Sequence, residues 1–179
     1  MRRLLLLRHA KSTLPGSGTS DHDRRLAPRG RRAAERMGRY LHDEGLLPDL
    51  VLCSSAWRTC ETTALLDLPE TTELEIAHEL YLATPETVLD LVHGVEDDVT
   101  TLLVVGHNPT THELALDLAG AVDGFGSGDA VALDLLASKY PTGALAVLDV
   151  RDPWERLGPG SATLERFVTP RMLDPADGP

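Results

Sequence analysis

Three segments of this chain end a short apolar run with side chains suited to one chemistry. Leu4-Leu5-Leu6-Leu7 delivers Arg8 and His9 together, Leu50–Cys53 leads into Ser54-Ser55 and Arg58, and Thr101–Val105 leads into Gly106-His107-Asn108. A neutral imidazole can attack phosphorus, and a guanidinium neutralises phosphoryl oxygens through paired hydrogen bonds. Alone, each residue is bland: an arginine in a first helical turn is ordinarily solvated, and a strand-end histidine is ordinarily a boundary residue. Their recurrence at three strand ends points to one small volume holding two guanidiniums and two imidazoles. Helix amino termini near Ala56 and Pro109 would add amide donors and positive dipole ends. A phosphoryl group is the natural occupant. His9 must be neutral to attack; a reference pKa of ~6.5 leaves a workable neutral fraction near pH 7, and flanking arginines favour that form.

The elements that must position these groups alternate between buried strands and amphipathic helices, the pattern of an α/β protein. The first strand is read as Arg3–Leu7, followed by a polar loop from Ser12 to Arg25. A helix beginning near Pro28 buries Ala34, Met37 and Leu41 and stops at Gly45. Leu50–Cys53 is the second strand, with Ser54 or Ser55 capping a helix from about Ala56 to Leu66. A strand at Leu74–Ala77 and a helix capped by Thr84, running to Val92 and closed by Gly94, come next. Thr101–Val105 reads as a central strand, and Asn108-Pro109 opens a helix ending at Gly120. Within 121–139 the run Val131–Ala137 fits a helix or a strand. Ala144–Val150 and Ala162–Val168 form an expected antiparallel edge. One domain over residues 1–170 is predicted, with an irregular tail over 171–179.

Composition excludes several classes. A net charge of −11 argues against nucleic acid or an anionic membrane as partner. No stretch approaches the ~18 apolar residues of a bilayer span, and Arg8 interrupts the leucines too early for a signal peptide. A cytoplasmic protein with Cys53 and Cys60 as reduced thiols is expected. Two cysteines without matching histidines make no zinc site, and no H-E-x-x-H cluster occurs, so neither metal nor cofactor is predicted. Rival phosphoryl chemistries fail on spacing. Four residues separate Cys53 from Arg58 where the cysteine phosphatase loop has five. Asp21-His22-Asp23 imitates an aspartate phosphatase motif, but no apolar strand precedes it. Gly16-Ser17-Gly18 lacks the third glycine of a dinucleotide fingerprint, and no Gly-Lys-Ser/Thr phosphate loop is present.

Leu7-Arg8-His9-Ala10-Lys11 resembles the Arg-His-Gly signature of the histidine phosphatase (phosphoglycerate-mutase-like) superfamily, with alanine in the glycine position. The stretch from Cys53 to Thr63 resembles its Ser-x-x-x-Arg-x-x-x-Thr motif, and Val104-Val105-Gly106-His107-Asn108-Pro109 its second histidine motif. Asp23-Arg24-Arg25-Leu26-Ala27-Pro28-Arg29-Gly30 is similar to the Asp-Arg-Pro-Leu-Thr-Pro-Arg-Gly segment of the SixA-type phosphohistidine phosphatases. Arg25 and Ala27 depart from it, removing a turn constraint and a helix cap. The resemblance runs from the first strand to about Val150 and implies a three-layer α/β sandwich with a mostly parallel central sheet. It implies His9 as the transiently phosphorylated nucleophile, with Arg8, Arg58 and His107 binding the phosphoryl oxygens. It implies Arg24 as a further phosphate-binding residue and Glu79 as proton donor, against the plainer reading of Glu79 as a solvated loop carboxylate. The implied partner is a phosphorylated protein or a small phosphorylated metabolite. A sugar phosphate or nucleotide phosphatase, and a phosphate-binding module without turnover, are the alternatives; a dedicated mutase would carry extra segments. Specificity is expected in Ser12–Arg25, His78–Pro85 and Ala121–Thr142.

Overall fold

The computed structural model describes residues 1–14, 16, 18–120 and 126–174. Six strands, β1 (Arg2–Arg8), β2 (Leu50–Ser54), β3 (Glu73–Ala77), β4 (Thr101–Gly106), β5 (Leu145–Val150) and β6 (Ala162–Val168), make one sheet of order β3-β2-β4-β1-β5-β6. The first four run parallel, while β5 is antiparallel to both β1 and β6. Alternation along each strand divides the core between two faces. Leu5, Leu7, Val51, Cys53, Leu103 and Val105 face Met37 and Leu41 of helix α1 (Pro28–Asp43). Helix α2 (Trp57–Ala64) packs against α1 and the sheet. Leu4, Leu6, Leu52, Leu102 and Val104 face the other layer. That layer contains α3 (Pro85–His93), α4 (Thr110–Leu118) and α5 (Ala130–Ser138). The expected three-layer sandwich is therefore present.

The chain leaves β1 to build β2 and β3 on one side, then leaves β4 to build β5 on the other. Connections thus diverge from two adjacent strands, β1 and β4, and a crevice opens at their carboxyl ends. The register places Arg8 opposite Gly106 and Leu7 opposite Val105, so the residues after each strand emerge side by side. Helix α1 reaches this edge because Gly30 has no side chain: a Cβ there would lie 2.0 Å from the Lys11 carbonyl oxygen. That carbonyl accepts the Ala27 N–H at 2.8 Å. Ala27 itself caps α1 with no side-chain hydrogen bond, as its departure from threonine predicts.

Several local readings are refined. Val131–Ala137 is helical, within α5, because the Asp129 side chain accepts the Ala132 N–H and caps it. Neither Ser54 nor Ser55 caps α2, which begins beyond both; Ala56 occupies the cap without a side-chain bond. Of the expected tail, residues up to Asp174 form a turn, in which Met172 N–H reaches the Thr169 carbonyl and Leu173 packs on the α1 face. Residues 175–179, and 121–125 of the expected specificity loop, lie outside the described residues.

Candidate active site

Arg8, His9, Arg58 and His107 converge at the carboxyl edge of β1, β2 and β4. The His9 and His107 ring centroids are 5.2 Å apart. His9 is almost wholly buried, and its Nδ1 lies 2.7 Å from the Ala10 carbonyl oxygen. A carbonyl only accepts, so Nδ1 carries the proton and Nε2 keeps its lone pair. Burial, opposed by that hydrogen bond and reinforced by His107, Arg58 and Arg8, pushes the His9 pKa down to about 3. A neutral imidazole with a free Nε2 is the form that can attack.

The same logic fixes His107. Arg58 Nη2 donates to its Nδ1 at 3.3 Å, leaving Nε2–H to donate to Ser54 Oγ at 2.8 Å. Burial first, then the Arg58 charge, lowers its pKa to about 4. Arg58 is 5% exposed. Its fork is held by the Asp21 backbone carbonyl at 2.5 Å and by Asp21 Oδ2 at 3.0 Å. Arg8 Nη1 donates to the Tyr140 carbonyl at 2.7 Å, while its buried Nε has no partner among the described residues. A buried guanidinium N–H left over beside His9 suits an anionic ligand.

The spacing Ser54, Arg58, Thr62 now has a physical account. Ser54 holds His107, Arg58 reaches both His107 and Asp21, and Thr62 Oγ1 accepts the Ala10 N–H at 3.0 Å. Thr62 Oγ1 also donates to the Arg58 carbonyl at 2.6 Å. One end of α2 thereby clamps the segment that follows His9. Cys53, at the end of β2, is buried and its thiol is pushed up to about 12, chiefly by desolvation. Such a thiol is no nucleophile near neutral pH.

Arg24 reaches the site through Asp21. Its Nη1 donates to Asp21 Oδ1 at 2.8 Å, and its Nε and Nη2 bind the Thr13 carbonyl at 2.9 and 2.7 Å. Nη2 also donates to Ser12 Oγ at 2.9 Å. Glu79 sits exposed in a single 3₁₀ turn after β3, at the same edge of the sheet. Two residues on, Tyr81 donates its hydroxyl to Asp21 Oδ2 at 3.1 Å and lies edge-on to His107 at 5.8 Å.

Sequence reasoning missed Asp21, which joins Arg24, Arg58 and Tyr81. The Arg24 hydrogen bond, with help from the Arg58 charge, lowers its carboxyl to about 2. No strand or helix pattern marks this loop position; only its neighbourhood to Arg24 hinted at a partner. Beside His107 a cavity of 310 Å³ opens between β4, α3 and α4, lined by Leu80, Leu82, Ala83, Val88 and Asn108. Among the described residues no group of three or more His, Cys, Asp or Glu side chains could hold a metal ion. Nor is any described helix long and apolar enough to cross a membrane.

Residues 4–81 match the histidine phosphatase superfamily, branch 1. An uncharacterised protein of Mycobacterium tuberculosis is 44% identical over 167 residues, covering 92% of this chain and 100% of the relative. A structure from Nakamurella multipartitia, provisionally named phosphohistidine phosphatase SixA, superposes with a TM-score of 0.82 at 33% identity, over 94% of this chain and 96% of the other. Its provisionally named counterpart from Agrobacterium tumefaciens gives a TM-score of 0.76 at 32% identity, over 94% and 97% of the two chains.

Proposed function

This chain belongs to the histidine phosphatase superfamily, in its SixA-type branch, and from that premise and its pocket we propose that it hydrolyses protein phosphohistidine through a phosphorylated His9. The observation that carries the reading is the His9 ring, held neutral with Nδ1–H on the Ala10 carbonyl and Nε2 free. In the first step His9 Nε2 forms a bond to phosphorus while the bond from phosphorus to the substrate's imidazole nitrogen breaks. That imidazole departs with a proton taken from solvent. In the second step water attacks phosphorus, His9 leaves, and inorganic phosphate is released. Arg8 and Arg58 neutralise the oxygens, and His107 donates its Nε2–H to one of them in place of Ser54. Arg24 supports this arrangement by anchoring Asp21, which orients Arg58. Glu79 is the donor for leaving groups that need a proton in the transition state. The two guanidiniums supply charge neutralisation without metal, so chelation leaves activity intact.

A phosphoprotein substrate is favoured by the provisional names of the two similar structures. The apolar 310 Å³ cavity beside His107 favours the second reading, a phosphomonoesterase whose leaving group lies against Leu80 and Val88. Rapid quenching during turnover under base tests the mechanism common to both. Phosphate is expected on His9, in a linkage labile to acid and stable to base. Its recovery on Cys53 or an aspartate would refute that mechanism. Comparison of phosphohistidine protein with sugar phosphates and nucleotides then separates the two substrate classes.

A further inference from the structure

On a chain of net charge −11, one groove gathers cations. Lys11, Arg29, Arg32, Arg36 and Arg171 line a groove of 460 Å³ in which Asp174 is the one acidic residue among the described residues. Arg29, Arg32 and Arg36 are three and four residues apart, so they form one stripe along α1. The stripe starts at the catalytic edge. Lys11 lies two residues after His9, and Thr142, on the opposite wall, precedes Gly143, whose N–H meets the His9 carbonyl at 3.0 Å. From there the stripe descends the outer face of α1.

Ion pairs among the described residues leave most of this cluster unbalanced. Several arginines elsewhere are paired, Arg25 and Arg31 with Glu61 and Arg3 with Asp149 and Glu165. In the groove Arg36 has Asp174 at 3.5 Å, but Lys11, Arg29 and Arg32 have no ion pair among the described residues. Like charges held together cost stability unless something of opposite sign visits. A polyanion such as nucleic acid would meet long-range repulsion from the rest of the surface. A short acidic segment would meet only the groove.

We infer that the Lys11–Arg29–Arg32–Arg36 groove docks an acidic segment of the phosphoprotein whose phosphohistidine enters the His9 pocket. This rests on the phosphohistidine reading above and adds how the partner is chosen. Arginine clusters recognise acidic motifs in this way, and the complementarity acts chiefly on encounter.

The test compares two synthetic phosphohistidine peptides, one with glutamates flanking the phosphohistidine and one with glutamines in their place. An aryl phosphate serves as a substrate too small to reach the groove. At low salt the glutamate peptide is expected to show kcat/KM about tenfold higher, carried by KM and erased by high salt. Arg29→Glu with Arg32→Glu should reverse that preference and leave aryl phosphate hydrolysis unchanged. Arg29→Gln with Arg32→Gln, a milder pair at exposed positions, should abolish the preference without reversing it. Equal rates on both peptides in the native protein, or a preference surviving both double variants, would overturn the groove. Turnover of aryl phosphate with neither peptide hydrolysed would overturn the phosphohistidine reading itself, and the groove with it.

Discussion

Acidification from pH 7 to pH 5 should weaken the fold while leaving His9, the proposed nucleophile, unprotonated at Nε2. His9 and His107 take protons in the folded state only near pH 3 and 4, because burial and the neighbouring guanidiniums disfavour their charged forms. In the unfolded chain both titrate near ~6.5. Between those values the unfolded state holds the extra protons, so stability falls as pH falls through the window and is unaffected above it. Each histidine costs about 1.4 kcal/mol per pH unit, so the pair costs up to about 4 kcal/mol by pH 5. Urea unfolding followed by the fluorescence of Trp154, which is wholly buried, measures this at each pH. His9→Ala should remain folded, lose turnover, and recover about 2 kcal/mol of the acid loss. Meanwhile the native enzyme's kcat/KM, corrected for substrate ionisation, should stay level down to pH 5. A nucleophile titrating near ~6.5 would instead lose about 25-fold over the same range. Identical pH dependence of stability in the native protein and His9→Ala, or an inflection near ~6.5 in the native kcat/KM profile after correction for substrate ionisation, would refute the reasoning.

Other outcomes follow from the same geometry. Glu79→Gln should slow alkyl phosphate hydrolysis by ~10²–10⁴-fold and aryl phosphate or phosphohistidine far less, since phenolate and protonated imidazole leave readily; steady-state rates check it, and equal slowing of all substrates would reassign Glu79 to binding. Asp21→Asn keeps an oxygen for Arg58 but removes a charge beside the pocket, so competitive inhibition by inorganic phosphate should tighten about three- to tenfold. Weaker inhibition would mean that the carboxylate serves only to hold the guanidinium. Gly30→Ala places a Cβ against the Lys11 carbonyl and should cost about 1–3 kcal/mol, read as a lower Tm together with lost activity. An unchanged Tm would show that α1 can move away freely.

The sequence by itself determined the strands, all the longer helices but α5, and the parts of the site that those elements carry. Leu4–Leu7 and Thr101–Val105 are continuous apolar runs because parallel strands are covered on both faces, and that pattern is local. Arg8, His9 and His107 were legible because they lie at or just beyond the ends of such runs, and Arg58 because it falls in the first turn of the helix that follows β2. Ser54 was misread as a cap: a serine after a strand looks the same whether it meets its own helix or a histidine 53 residues away. Only the tertiary structure decided that. It also decided the charge state of the histidines, since desolvation and nearby arginines depend on which elements pack together. Asp21 was invisible for the same reason. Its carboxylate joins Arg24 from its own loop, Arg58 from α2 and Tyr81 after β3, residues that no spacing along the chain relates. Periodicity records burial, which each element expresses in its own sequence; electrostatics and hydrogen bonding between elements exist only once the sheet order has brought β1, β2 and β4 side by side.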